Sequence, residues 1–488
     1  MGAIVAVKHK KDGDATETVL AMLKALTVKN IEAYGVASSN TIQIEKSFQQ
    51  LQNRKVHSST VIGYAFSRIL KQDKPQPLKS KDATIVFDGR VFPTDKRSSD
   101  SEFFARKLFG NKEENAKTFV KETGGNFAFV IAEPERLTAG RDPLGLNPLY
   151  YGENDVFAGL ASERKALWNI GIRAAHSFPP GHVAVADERG FKFSLAKRLT
   201  FSKPKQMTMK NAAEKLQVLL ERAARIRLSG LSEVTVAFSG GLDSSIVAFL
   251  SKKLGADVRL IHVSLKDQAE TEHAKITAEE LKLPIYVFTY SENDVSEVLP
   301  LVLQTIEEPD PVKASIGIPI YWAAEKSAEM NRRVMLAGQG SDELFAGYRR
   351  YVDAYIKGGS DKARETIFRD IIGIHESNFE RDFKICNFHG VEMRLPFATY
   401  EIAKFAVDLP IELKIQPSDH TLRKLVVRQT ARNLGLPQAT VDRPKKAMQY
   451  ATGVNDTLNR LAKRKHLTLK EYIHETFQHA LKRKMPNA

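Results

Sequence analysis

Residues 234–245 read VTVAFSGGLDSS, a β-branched run that ends in a glycine pair and reopens into SSIVAFLSKK, a helix-forming stretch. Strand, small-residue loop and helix in that order make a phosphate cradle. Gly240 and Gly241 let backbone N–H groups approach phosphate oxygens, and the helix adds its positive N-terminal end. The loop is not the GxxxxGK[ST] type, because no lysine follows the glycines. Asp243 sits inside the anion site instead, which makes electrostatic sense when it holds a divalent cation such as Mg²⁺ bound to the phosphates. The competing reading is a Gly-Gly turn with Ser and Asp as ordinary caps; serines on both sides and an apolar strand ahead favour the cradle.

Working outward, strand-like runs recur at 258–263, 285–289 and 334–337, separated by helical segments at 270–281 and 295–306. Alternation of this kind predicts a parallel sheet with its ligands at the carboxyl ends of the strands. Ahead of the loop, Ala213, Leu216, Leu219, Leu220 and Ala223 form an apolar stripe at helical spacing, read as core. From residue 348 onward the pattern is mostly helical. The first half is α+β, with strands at 4–7, 61–66, 83–87, 127–132 and 182–186 and helices at 17–26 and 101–109. A Lys-, Ser- and Pro-containing linker at 198–209 divides the chain into domains at 1–196 and 210–488.

A second loop follows the strand ending at Ala337: GQGSDELFAGY, residues 338–348, again small residues and then Asp342 and Glu343 at a helix start. Two strand ends that each offer an aspartate can grip one Mg²⁺ on a triphosphate, although Asp342 alone reads equally well as a helix cap.

The 488-residue chain is 42% hydrophobic and 27% charged, ordinary values for a soluble protein of two or three domains. No apolar run is long enough to span a bilayer and MGAIVAVKHK lacks signal-peptide features, so the expected location is the cytoplasm, with no membrane partner. A single cysteine, Cys386, excludes an intramolecular disulfide and a Cys-based zinc cage, and reads as a buried thiol. The 12 histidines show no metal-ligand spacing. The +15 net charge admits nucleic acid as a partner, but the basic residues cluster only near the C-terminus, so no specific nucleic-acid interaction is expected.

SGGLDSS after a strand resembles the pyrophosphate loop of the ATP pyrophosphatases, which cleave ATP between the α and β phosphates. Further motifs narrow the resemblance. HGVEMRLPF at 389–397, Leu422-Arg423-Lys424, and Arg443-Pro444-Lys445 resemble the synthetase domain of the glutamine-dependent asparagine synthetase family. GGNFAFVIAEPERLTAGRDPLGLNPLYYG at 124–152, ASERKAL from 161 and FPPGH from 178 resemble that family's class II glutaminase, an Ntn-hydrolase-like sandwich. The resemblance implies an α+β Ntn-like domain followed by an α/β ATP-pyrophosphatase domain with a helical C-terminal part.

It implies ATP and Mg²⁺ as cofactors, and a ligase in which the aspartate side chain forms an acyl-adenylate that ammonia then converts to asparagine. On this reading Ser239, Gly240, Gly241, Leu242, Asp243, Ser244 and Ser245 seat the pyrophosphate, and Asp243 and Asp342 hold Mg²⁺. Phe238, Val263 and Gly338 meet adenosine through backbone contacts. Lys445 neutralises the leaving group, while Lys424 reads as surface charge. Gln339, Glu392 and Arg394 are the acyl-site choices. A homodimer and a separate source of ammonia are compatible with it.

The departures are informative. The family's glutaminase nucleophile is a cysteine directly after the initiator Met; here that residue is Gly2. The family's Asn-Gly at the oxyanion hole is Asp88-Gly89, a carboxylate in place of a neutral donor, whereas Arg68 and Asp100 fill the places that hold glutamine's α-carboxylate and α-amine. A glutamine site without hydrolysis is expected, one that Gly2→Cys combined with Asp88→Asn has a better chance of reviving than either change alone. In the synthetase half, Gln339 stands for the family's usual Glu and Thr399 for its Asp. These changes keep open a β-lactam-synthetase-like ligase acting on another carboxylate. A tRNA-modifying ATP pyrophosphatase and a non-catalytic nucleotide-binding scaffold also remain as alternatives.

Overall fold

The computed structural model describes residues 2–52, 56–92, 98–108, 110–416, 419–444 and 448–482. Two compact units emerge, one of Met1–Arg198 with Asn387–Gly390, the other of Leu199–Cys386 with Val391–Lys484.

In the first unit, continuous apolar runs mark strands covered on both faces, because alternate side chains enter different cores. Ile4 and Ala6 of strand Gly2–His9 join one cluster, whereas Val5 and Val7 join another with Val19, Leu20 and Leu23 of helix Thr16–Ala25. Strand Gly124–Ala132 divides likewise: Ala128 and Val130 face the first cluster, and Phe127 and Phe129 face a third. That third cluster takes Phe104 from helix Asp100–Lys107 and Phe119 from helix Lys112–Glu122. The result is helix, seven-stranded sheet, six-stranded sheet and helix in four layers, with antiparallel pairing throughout the described strands of both sheets.

The expected strands and the first helix appear with ends shifted by a few residues, and Phe109 lies outside the described residues. Between Leu195 and Met209 no helix or strand forms, as expected of a linker.

The second unit is built on a five-stranded parallel sheet in the spatial order Ile285–Tyr290, Asp257–Leu265, Glu233–Ala237, Val334–Leu336, Glu392–Arg394. The chain lays strands outward on one side of Glu233–Ala237 and then returns to place Val334–Leu336 on its other side. That reversal opens a crevice at the carboxyl ends of the two central strands. Helix Met209–Arg227 is capped by Thr208, whose side chain accepts from Asn211 N, and it buries Ala213, Leu216, Leu220 and Ala223 while Leu219 stays half-buried.

The region after Tyr348 is mostly helical, with one correction. Glu392–Arg394 is the fifth strand of the sheet, and Ile415–Gln416 pairs with Asp419–Arg423 in a small hairpin. Three residues are too few to register as a strand from periodicity alone. Cys386 is fully buried in helix Glu380–Phe388, as expected. No helix of the described residues is long and apolar enough to cross a membrane.

Candidate active site

The two small-residue loops leave adjacent strands at the crevice. Helix Leu242–Lys253 begins directly after the glycine pair, with Gly241 as its N-cap and Asp243 in its first turn, where a carboxylate favours the helix dipole. Gly240 has φ +70, and a Cβ there would lie 2.8 Å from Ala274 Cα, so the turn and its neighbour both require glycine. A Cβ on Gly338 would stand 2.7 Å from that of Asp243. The second glycine loop thus lies directly against the first.

Within the cradle Ser239, Gly241 and Ser244 satisfy one another. Ser244 Oγ accepts from Ser239 N at 3.3 Å and lies 3.2 Å from Ser239 Oγ, which in turn accepts from Gly241 N at 3.2 Å. Leu242 and Ser245 are buried in the helix behind. His273 Nε2 is 3.1 Å from Gly240 O, fixing the loop from the outside.

Asp243 and Asp342 face each other across one cation, the ammonium of Lys424. Its Nζ is 2.6 Å from Asp243 Oδ2 and 2.6 Å from Asp342 Oδ1, and its side chain is only 3% exposed. This corrects the reading of Lys424 as surface charge. The lysine opens helix Leu425–Leu434 at φ +60, at the positive end of a helix dipole, where a cation is unfavourable unless anions surround it. The two aspartates are those anions. Ser341 Oγ donates to Asp243 Oδ1 at 2.8 Å, and Gly347 is packed so closely that a Cβ would lie 2.4 Å from Lys424 Cε. Arg423 Nε donates to Gly347 O at 2.8 Å, tying the two segments together.

Lys445 lies outside the described residues. The chain leading to it is anchored: Arg428 donates to Arg443 O at 2.9 Å, and Arg443 pairs with Glu270. Of the adenosine candidates, Phe238 O is engaged by His262 Nδ1 at 2.9 Å, and Gly338 follows a strand end. Val263 lies inside its strand, not at the end. Phe238 N donates to Ile261 O, so alternation turns Val263's peptide groups to the same side, beyond the last residue of strand Glu233–Ala237.

Glu392 and Arg394, two apart on one face of the edge strand, pair with each other at 2.6 Å and are both buried. Gln339 projects elsewhere, toward Asp382. Thr399 caps helix Tyr400–Asp408, accepting from Ile402 N at 3.0 Å. Glu343 is held by Tyr348 Oη at 2.7 Å and Asn378 Nδ2 at 2.6 Å; burial, then the charge of Asp342, raises its carboxyl above the ordinary range.

In the first unit Gly2 is buried, and a Cβ there would lie 2.1 Å from Ala65 O and 2.6 Å from Tyr64 Cζ. The structure therefore has no room for a cysteine at this position, which removes the advantage expected for Gly2→Cys with Asp88→Asn. The Tyr64 hydroxyl donates to Asp88 Oδ1 at 3.0 Å, and Asn147 Nδ2 donates to Asp88 Oδ2 at 2.9 Å. Gly89, at φ +119, would drive a Cβ to 2.0 Å from Asn126 O. Arg68 reaches Glu32 at 3.1 Å; Asp100 accepts from Arg90 at 3.2 Å, and Arg90 also grips Asp73 at 2.6 Å.

Comparison with known proteins agrees with these two architectures. The asparagine synthase family model matches residues 215–363 and 355–487, and a glutamine amidotransferase domain model matches 65–169. A Methanocaldococcus jannaschii protein bearing the name glutamine-hydrolyzing asparagine synthetase 1 is 30% identical over 75% of this chain and 76% of its own length. A Dictyostelium discoideum protein of similar name is 25% identical over 78% and 74%, and Arabidopsis thaliana glutamine-hydrolyzing asparagine synthetase 3 is 27% identical over 78% and 69%. With more than half its length matched by the family model, and its two aspartate loops meeting at the switch point of a parallel sheet, the chain belongs to the asparagine synthase family.

Proposed function

We propose that this chain is an ATP-dependent ligase that converts aspartate to asparagine through a β-aspartyl-adenylate, releasing AMP and pyrophosphate. The observation that carries the reading is the pair of carboxylates, Asp243 and Asp342, each 2.6 Å from one ammonium at the crevice between the glycine loops. Hard oxygen donors facing a point already taken by a cation suit Mg²⁺. Among the described residues there is no cluster of three or more ligating side chains, so phosphate oxygens and water would complete its shell. Mg²⁺ would neutralise charge on the triphosphate.

The chain's own residues do the rest. Backbone N–H groups of Gly240–Leu242 and the helix N-terminus donate to oxygens of the β and γ phosphates, with Ser239 and Ser244 turning their hydroxyls from each other to the ligand. Asp243 and Asp342 would hold the metal, and Lys424, which pairs with both of them, would supply positive charge to the leaving pyrophosphate together with Lys445. Phe238, Val263 and Gly338 border adenosine, and Glu392, Arg394 and Gln339 serve the acyl side.

Residues 1–196 form a glutaminase-like domain that does not hydrolyse glutamine, and residues 210–488 form the synthetase. The amine donor is ammonia itself, drawn from a separate source. The protein works in the cytoplasm on small molecules, without specific nucleic acid, and is compatible with a homodimer. Purified protein given ATP, Mg²⁺ and aspartate should exchange labelled pyrophosphate into ATP, and ammonia but not glutamine should then yield asparagine. Exchange with another carboxylate but not with aspartate would reassign the substrate.

A further inference from the structure

Two histidines reach the pyrophosphate loop from outside, and each takes one of its carbonyls. His262 Nδ1 lies 2.9 Å from Phe238 O, and His273 Nε2 lies 3.1 Å from Gly240 O. These two carbonyls stand on either side of Ser239. A carbonyl oxygen only accepts, so the proton of each ring sits on the nitrogen that faces the loop. At His262 the other nitrogen, Nε2, accepts from Thr271 Oγ1 at 3.3 Å, and that hydroxyl accepts in turn from Ser264 Oγ at 2.8 Å. Burial lowers this imidazole below its ordinary range, which leaves Nε2 unprotonated and able to accept. At His273 the Nε2 proton is shared with Thr277 Oγ1, 3.2 Å away.

Peptide geometry carries the consequence into the cradle. In a trans peptide the C=O and the following N–H are coplanar and point in opposite directions. Holding Phe238 O outward therefore aims Ser239 N–H inward, where Ser244 Oγ accepts it at 3.3 Å. Holding Gly240 O outward aims Gly241 N–H inward in the same way, where Ser239 Oγ accepts it at 3.2 Å.

The second peptide depends most on its outside donor. It joins two glycines, and without side chains such a peptide turns over against little steric resistance. Turned over, it would put Gly240 O into the cradle, with the negative end of its dipole against phosphate. His273 opposes this from a close base: helix Ala269–Glu280 approaches the loop so nearly that a Cβ on Gly240 would lie 2.8 Å from Ala274 Cα.

We propose that His262 and His273 are positioning residues for the triphosphate, which fix the polarity of the loop so that N–H groups rather than carbonyls meet the phosphate oxygens. Each ring acts through a peptide group and transfers no proton. The inference rests on the nucleotide site described under the proposed function.

Amide side chains separate this role from packing. An asparagine amide nitrogen stands near the place of histidine Nδ1, and a glutamine amide nitrogen near that of Nε2. His262→Asn and His273→Gln should therefore keep the bonds to the loop, whereas His262→Gln and His273→Asn should lose them. In the full-length protein the second pair should raise KM for ATP and for pyrophosphate in aspartate-dependent exchange about tenfold, with KM for aspartate within about twofold of wild type. The first pair should stay within about threefold of wild type for all three substrates. His262 is buried and His273 half-buried, so the position 273 variants decide the matter where melting curves show a position 262 variant unfolded. Equal KM for ATP in His273→Asn and His273→Gln, or a KM for aspartate that rises in step with it, would overturn the assignment. Absence of exchange in the wild-type chain would instead refute the ligase reading; calorimetric titration with ATP and Mg²⁺, which needs no turnover, then reads the same ranking of variants as Kd, and an equal Kd in the two position 273 variants would overturn the assignment there.

Discussion

Replacing Lys424 with methionine keeps the length of the side chain and removes the charge that Asp243 and Asp342 share. Each carboxylate then faces the other with no cation between them. Removing one partner from a buried ion pair costs about 3–5 kcal/mol. The two aspartate side chains remain 15% and 16% exposed, so some water reaches them and the lower end applies. A loss of about 3 kcal/mol is roughly 150-fold in an equilibrium constant, and in a unit of this size it lowers the melting temperature by about 6 °C.

The informative part is the response to metal. In the variant the space between the carboxylates is open to Mg²⁺, so millimolar Mg²⁺ without nucleotide should recover much of the lost melting temperature. The wild type, with Lys424 in place, should respond little to Mg²⁺ alone. Differential scanning calorimetry of both proteins with and without Mg²⁺ measures this directly. A variant as stable as wild type and indifferent to Mg²⁺ would show that the two carboxylates are not a cation site.

Gly2→Cys, alone or with Asp88→Asn, should release no measurable glutamate from glutamine, because Ala65 O and Tyr64 occupy the space a side chain at position 2 needs; brisk release by either protein would refute the packing argument. A second expectation concerns pH. Burial depresses the His389 imidazole from 6.5 to about 3, so the folded state favours its neutral form. The associated stability is fully present above the unfolded value of 6.5 and is lost as pH falls toward 3. Thermal melts across that window should therefore decline less steeply for His389→Gln than for wild type, and identical slopes would contradict the assignment.

What the sequence disclosed follows how local each feature is. The phosphate cradle is legible because strand, glycine pair, Asp243 and helix start are contiguous, and the backbone alone dictates their geometry. The four-layer sandwich is foreshadowed by runs such as Ile4 to Val7, whose lack of polar alternation reflects two cores. Helix Lys112–Glu122 is harder to see, since KEENAKTFVKE offers little more than Ala116, Phe119 and Val120 to the interior.

Lys424 could not be placed from its neighbours: it meets Asp243 across 181 residues of chain, and in isolation a lysine beside an arginine reads as solvated charge. Asp382 carries no sequence signal beyond one acidic residue in a short helix. Only tertiary packing reveals that its carboxylate is enclosed between Arg381 and Gln339. Gly2 shows the converse. The missing thiol was legible, but the closure of its space by Tyr64, a residue of the adjacent strand Thr60–Phe66, was not.

The most direct test is the identity of the nucleotide product. Purified wild-type protein and Asp243→Asn, incubated with ATP, Mg²⁺, aspartate and ammonia, should be resolved by anion-exchange chromatography alongside a pyrophosphate assay. The predicted result is AMP and pyrophosphate in equal amounts, dependent on aspartate and abolished in the variant, whose melting profile shows it still folded. ADP and phosphate as the products, or AMP formation indifferent to aspartate, would contradict the account.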